Sequence, residues 1–324
     1  MSERKRQKTT TITKFEQLPN ELLLICFDYF DYYYLFETFS SLNQHFKNLI
    51  QYRTKIYLNM KLIPNEKILP FCSQLNQLIT TNQNYSLSIR INNNYRFNSI
   101  FQDNLFNENF SRIKSLKITN VTVSTLLSII FDGKTNLCHT LERLSLFDKI
   151  SGTFQDIDRL CCDLISSKMK LLKHLDLNFI SWPTGDNECE EYVDLEFYGL
   201  SIREKSFSNL ETIIIGYIPY DDDTFTTSKL SFKRLIKRVL PCMPKLKTLI
   251  INSIYFDTPD NYRQEHKVWV SSSTKTNLKL VKIWVDVNAN EQRDKEKMEK
   301  YLQNYFTNEN STYKTIINIF FVHS

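Results

Sequence analysis

The chain has 324 residues, 42% hydrophobic and 24% charged. That composition supports a sizeable core, excludes bulk disorder and, on length alone, suggests about two domains. Five glycines, no two of them close in sequence, exclude a Gly-rich phosphate cradle of the P-loop or dinucleotide kind. The net charge is +5, and Arg4, Lys5, Arg6, Lys8 and Lys14, opposed by Glu3, carry most of it. A folded nucleic-acid binder keeps its cations on the folded surface, so no nucleic-acid partner is expected.

Residues 1–14 read as a solvated basic tail, with RKRQK at 4–8 as an alternative nuclear-import signal. Seven cysteines, an odd number with no CxxC pair, suggest buried reduced thiols rather than a disulfide framework. No apolar run long enough for a signal peptide or a membrane span is present, so no membrane partner is expected. The expected compartment is the cytoplasm and/or the nucleus.

Residues 15–50 spell three short helices. Pro19 suits a first helical position and Glu21 the positive end of the dipole. Leu22, Ile25 and Tyr29 form a stripe behind Leu18, widened by Leu24 and Phe27. Asp31 is a candidate N-cap for a helix through Leu35 and Phe39, and Ser41 for one through Leu42, Phe46 and Leu49. So small a module cannot bury all this apolar surface, which leaves some for a partner.

The order Leu18-Pro19-x-Glu21, then Leu22, Ile25, Phe27, Tyr29, Phe30-Asp31 and Leu35, resembles an F-box. The usual Leu before the Asp is Phe30, and Asn43 and Phe46 stand where a Cys/Trp pair is usual. The resemblance implies docking onto the adaptor subunit of an SCF-type ubiquitin ligase, and through it onto cullin and RING subunits. Leu18, Pro19, Glu21, Leu22, Ile25, Phe27, Tyr29 and Leu35 then hold or face the adaptor. Leu18, Leu22, Ile25 and Phe27 are the expected hot spots.

Residues 51–83, with Pro64 and Pro70, read as a linker or a helical spacer. From 84 to 324 an apolar-x-x-apolar-x-apolar unit recurs, starting at Ile113, Leu141, Leu172, Leu210, Leu246 and Leu278, with a degraded copy at Asn84. Helix-period stretches separate the copies: Leu126–Ile130, Phe154–Ile165, Leu235–Leu240 and Met298–Tyr305. One strand and one helix per unit force crossovers between parallel strands, and stacked units make a curved solenoid. The tail at 312–321 reads as a final edge strand. The pattern resembles irregular leucine-rich repeats. The polar ladder usual after the third apolar position is replaced by Val121, Lys149, Ile180, Ile218, Ile254 and Asp286. The expected fold is therefore α/β: a small N-terminal three-helix F-box module followed by an irregular leucine-rich-repeat-like solenoid with a curved parallel sheet.

Catalytic sets are sparse. No HExxH, HxxxH or GxSxG spacing occurs. His174 and Asp176 share a strand face at a spacing of two and could meet, but an exposed polar strand face is the favoured reading. Cys161 and Cys162 fall in a helix stripe. Two acidic stretches, 186–196 and 221–223, read as solvated loops, with contact to a basic target as the alternative. No catalytic residue, metal or cofactor is expected. The chain reads as a non-enzymatic substrate adaptor whose solenoid captures a protein substrate through Lys117, Arg143, Ser145, His174, Asp176, Asn252 and Lys282. The alternative is an interaction scaffold that recruits no ligase.

Overall fold

The computed structural model describes residues 15–51, 55–81, 85–101, 112–131, 133, 135–183, 192–200, 207–216, 227–256, 278–287, 295–307 and 315–323. Three helices open it: α1 (Asn20–Phe27), α2 (Tyr32–Phe39) and α3 (Gln44–Gln51). A large, mainly parallel sheet follows. Its path, in chain order, is β1 (Lys55–Asn59), β2 (Ser86–Ile91), β3 (Ile113–Thr122), β4 (Arg143–Gly152) and β5 (His174–Pro183). It continues through β7 (Thr212–Ile215), β9 (Thr248–Tyr255), β10 (Leu280–Val287) and β11 (Ile316–His323). Two short strands, β6 (Tyr192–Asp194) and β8 (Thr227–Ser231), lie off this path.

The repeat explains the order. Through successive pairings Leu116, Leu144, Leu175, Ile213, Leu249 and Val281 stand in one register row. Ile118, Leu146, Leu177, Ile215, Ile251 and Ile283 form the next row. All twelve are buried, and burial of each such side chain is worth about 1.5–3 kcal/mol. A one-residue slip in any strand would turn its set to the wrong face.

Between strands lie α4 (Asn65–Thr81), α5 (Asn94–Phe101), α6 (Val123–Ile130), α7 (Leu137–Thr140) and α8 (Phe154–Ile165). A last helix, Lys295–Phe306, precedes β11. Thr122 caps α6 and Thr153 caps α8 by accepting from Thr125 N and Asp156 N. The stripe Ile157, Leu160, Cys161 and Leu164 then buries one side of α8. Crossovers between neighbouring parallel strands are right-handed almost without exception. Strands added in chain order therefore place their helices on one face of the sheet, and the opposite face is built from alternate, half-buried residues.

A second ladder fixes register at the rim. The N–H groups of Glu142, Lys173, Glu211, Lys247 and Lys279 donate in turn to the carbonyls of Lys114, Glu142, Lys173, Glu211 and Lys247. Their side chains alternate in sign from Lys114 to Lys247, with Lys247 Nζ 2.6 Å from Glu211 Oε2. Exposed pairs of this kind add little stability, but opposite charges on adjacent strands disfavour slipped pairings.

Several expectations change. The described residues between 51 and 83 are part of the fold: β1 is the first strand of the sheet and α4, a helix, follows it. The degraded repeat sits two residues later than Asn84, because Ile89 and Ile91 pair with Leu116 and Ile118. The absent polar ladder is replaced piecemeal. Val121 and Ile254 are buried apolar residues. Asn94 accepts from Thr122 N at 3.0 Å, and Asn252 donates to the Gly216 carbonyl at 2.8 Å. Asn120 and Asp148 adopt left-handed backbone angles (φ 54° and 56°), which short polar side chains tolerate best. The expected terminal strand is present as β11, parallel to β10.

Candidate functional site

The three N-terminal helices have two different faces. Leu23, Phe27, Tyr32, Leu35 and Phe46 are buried. Phe27, Phe39 and Phe46 form a ring cluster with centroids 5.1–6.3 Å apart. Tyr33 and Phe36 meet Phe71 of α4 edge-on, at 5.2 and 5.8 Å. Asp31 fastens the module to the sheet. Its carboxylate accepts from Tyr33 N at 2.9 Å, capping α2, and from Asn59 N at 2.6 Å, reaching β1. Burial lifts its carboxyl above the ordinary range, against the lowering effect of these two N–H donors.

The other face is apolar and open. Leu22 is 47% exposed, Ile25 54% and Tyr29 87%, and Phe30, Tyr34 and Leu42 are exposed as well. Positions 22, 25 and 29 follow helical spacing, so they lie together on one side of α1 and the turn after it. The expected stripe of Leu22, Ile25 and Tyr29 is therefore solvent-facing. Leu18 is half-buried against the core. Glu21 is exposed beside this stripe.

Four sequence expectations are corrected here. Phe27 and Leu35 are 0% exposed, so neither offers a direct contact, because the small module needs both for its own core. Pro19 is the N-cap, with φ −54° and ψ 146°, and α1 begins at Asn20. Asn43, not Ser41, caps α3, its Oδ1 accepting from Phe46 N at 3.0 Å. Of the three departures noted in the sequence, Asn43 and Phe46 thus serve as a cap and a core residue.

The second candidate surface is the sheet face opposite the buried rows. One register row carries Ser115, Arg143, His174, Thr212 and Thr248. The next carries Arg90, Lys117, Ser145, Asp176, Ile214, Ile250 and Lys282. The topology thus gathers Lys117, Arg143, Ser145, His174, Asp176 and Lys282 on one surface. His174 and Asp176 share that face without a hydrogen bond between them among the described residues. Asn252 differs: it is 6% exposed and spends its amide N–H on Gly216, while its Oδ1 has no hydrogen-bond partner. Asp176 Oδ1 and Asn178 Oδ1 are likewise buried without partners. Asn178 was invisible to sequence reasoning, since its significance depends on register.

Electrostatics on this face are unusual. Burial raises the Asp176 carboxyl to about 6, although Lys117 and the Asn178 N–H pull it down. Burial and the nearby Arg143 lower His174. Lys117 Nζ sits 3.8 Å from the centre of the Phe147 ring, a cation–π contact.

The adjacent thiols of α8 are not activated. Burial pushes the Cys161 thiol well above its usual range and Cys162 up to about 12, so both are poor nucleophiles. Of the acidic stretches, 186–191 and 221–223 lie outside the described residues, as does the basic cluster at 4–8. Glu196 is held by Arg234. The chain around it is pinned to α8, where Asp158 accepts from Phe197 N at 2.6 Å and Tyr198 N at 3.2 Å. Among the described residues no cluster of His, Cys, Asp and Glu is placed to hold a metal ion, and no helix is long and apolar enough to cross a membrane. No protein-family model matches the chain, and no curated protein matches it.

Proposed function

We propose that the chain is the substrate-recognition subunit of an SCF-type ubiquitin ligase. In this reading residues 15–50 are an F-box that docks onto the adaptor subunit. The sheet and its helices are an irregular leucine-rich-repeat-like solenoid whose open face captures a protein substrate. The chain catalyses nothing. It raises the effective concentration of a target lysine near a ubiquitin-charged enzyme on the same assembly. The observation that carries the reading is the two-sided helical module. One face is cemented to β1 and α4 through Asp31 and Phe71, and the other leaves Leu22, Ile25 and Tyr29 uncovered. A helical cap with no partner would bury that stripe.

The test is reconstitution with purified adaptor, cullin and RING subunits and a ubiquitin-conjugating enzyme. The intact chain joins the complex and its own lysines accept ubiquitin. A Leu22→Asp, Ile25→Asp variant, folded by circular dichroism, does neither. Exclusion of the intact chain from the complex would refute the reading. It would leave the interaction-scaffold alternative, for which the capping of β1 by α2 is the supporting observation.

A further inference from the structure

The open face of the sheet is basic, although the sequence beyond residue 14 is nearly neutral. Arg90 and Lys117 are direct register partners on β2 and β3, and Arg143 lies on the adjoining strand β4. Like charges directly opposite each other on neighbouring strands are unfavourable. Among the described residues no ion pair compensates any of the three, and Asp176 is the one carboxylate in the two register rows they occupy. Beside the cations, Asp176 Oδ1, Asn178 Oδ1 and Asn252 Oδ1 are buried acceptors with no donor. Such orphans cost free energy unless something supplies an N–H. Ile214 and Ile250 lie half-buried between them.

From these features we infer that the open face binds an extended acidic segment of a partner protein, resting on the substrate-capture reading above. The segment's carboxylates meet Arg90, Lys117 and Arg143, and its backbone N–H groups supply the orphaned amide and carboxyl oxygens. Six strand spacings separate β2 from β10, about 29 Å at roughly 4.8 Å each. About nine extended residues span that distance at roughly 3.3 Å apiece. A nucleic acid fits less well: its sugar–phosphate backbone is rich in acceptors and, unlike a peptide backbone, has no N–H to offer these oxygens.

The test uses fluorescein-labelled deca-glutamate and fluorescence anisotropy with the full chain. Deca-lysine and a ten-residue oligothymidylate serve as controls. Deca-glutamate binds, and binding weakens with salt. Lys117→Glu with Arg143→Glu weakens it at least tenfold, and Arg90→Glu alone, on another strand, acts in the same direction. Asp176→Asn, which keeps an acceptor and removes the charge, binds at least as tightly as the parent. The basic tail is common to all variants, so their differences report the face alone. Each variant is checked by circular dichroism and thermal melting. Equal affinity in parent and folded double variant overturns the inference, as does tighter binding of the oligothymidylate through Lys117 and Arg143. Adaptor binding, measured on the same proteins, keeps the two readings apart. If deca-glutamate fails while the adaptor docks, the acidic-segment inference falls and the ligase reading stands. If deca-glutamate binds through these residues while the adaptor fails, the inference about the face survives without the ligase.

Discussion

Asp176 supplies a stringent check on the description of the open face. Its carboxyl is raised from 3.8 to about 6 by burial, so the folded protein holds this proton more tightly than the unfolded chain. Between those two values the native state binds more protons, and stability contributed by the protonated group is lost as pH rises through about 6. A shift of this size corresponds to at most about 3 kcal/mol, at ~1.36 kcal/mol per unit. Asp176→Asn removes the titration and keeps the shape. The variant is expected to match the parent near pH 4 and to exceed it at pH 8 by up to that amount. Urea unfolding followed by circular dichroism at pH 4, 6 and 8 measures the difference, and the other carboxylates cancel in it. A difference independent of pH, or a variant less stable than the parent at pH 8, would refute the assigned burial of this group.

Three further outcomes follow from the same structure. Leu23→Ala is expected to cost about 2–5 kcal/mol in urea unfolding as a fully buried truncation, whereas its neighbour Leu22→Ala changes stability by no more than about 0.5 kcal/mol; equal effects would mean α1 is rotated. Asp31→Ala removes both the α2 cap and the link to β1, costs about 1–2 kcal/mol, and speeds hydrogen exchange at Asn59 N–H; unchanged exchange there would deny the link. Half-buried Cys26 is expected to react with an aromatic disulfide reagent in the native state well before Cys161 and Cys162, which should react only on unfolding.

The parallel sheet was largely legible from the chain because the 113-116-118 spacing recurs with apolar residues in six copies, and each of these became a strand in the expected row, whereas the degraded copy at Asn84 was displaced by two residues. The first strand was not legible. Ile56 and Leu58 of β1 are two buried residues in a polar context, too short a run to distinguish from a linker. The helical module was readable as to elements but not as to facing. Phe27 and Leu22 look alike in sequence, and only the ring cluster with Phe39 and Phe46 decides which one turns inward. Charge shows the same limit. A chain nearly neutral beyond residue 14 still gathers Arg90, Lys117 and Arg143 on one surface, because parallel pairing aligns residues about 27–28 positions apart. The buried oxygens of Asn178 and Asn252 are likewise products of register.

The ligase assignment rests on whether the exposed face of α1 is a docking surface. Isothermal titration of purified adaptor subunit into the intact chain, beside the Leu22→Asp, Ile25→Asp variant, measures this directly. The account predicts one adaptor per chain and a negative heat-capacity change from apolar burial. It also predicts loss of binding in a variant whose unfolding curve is unchanged. No binding to the intact, folded chain, or equal binding by both proteins, would contradict it.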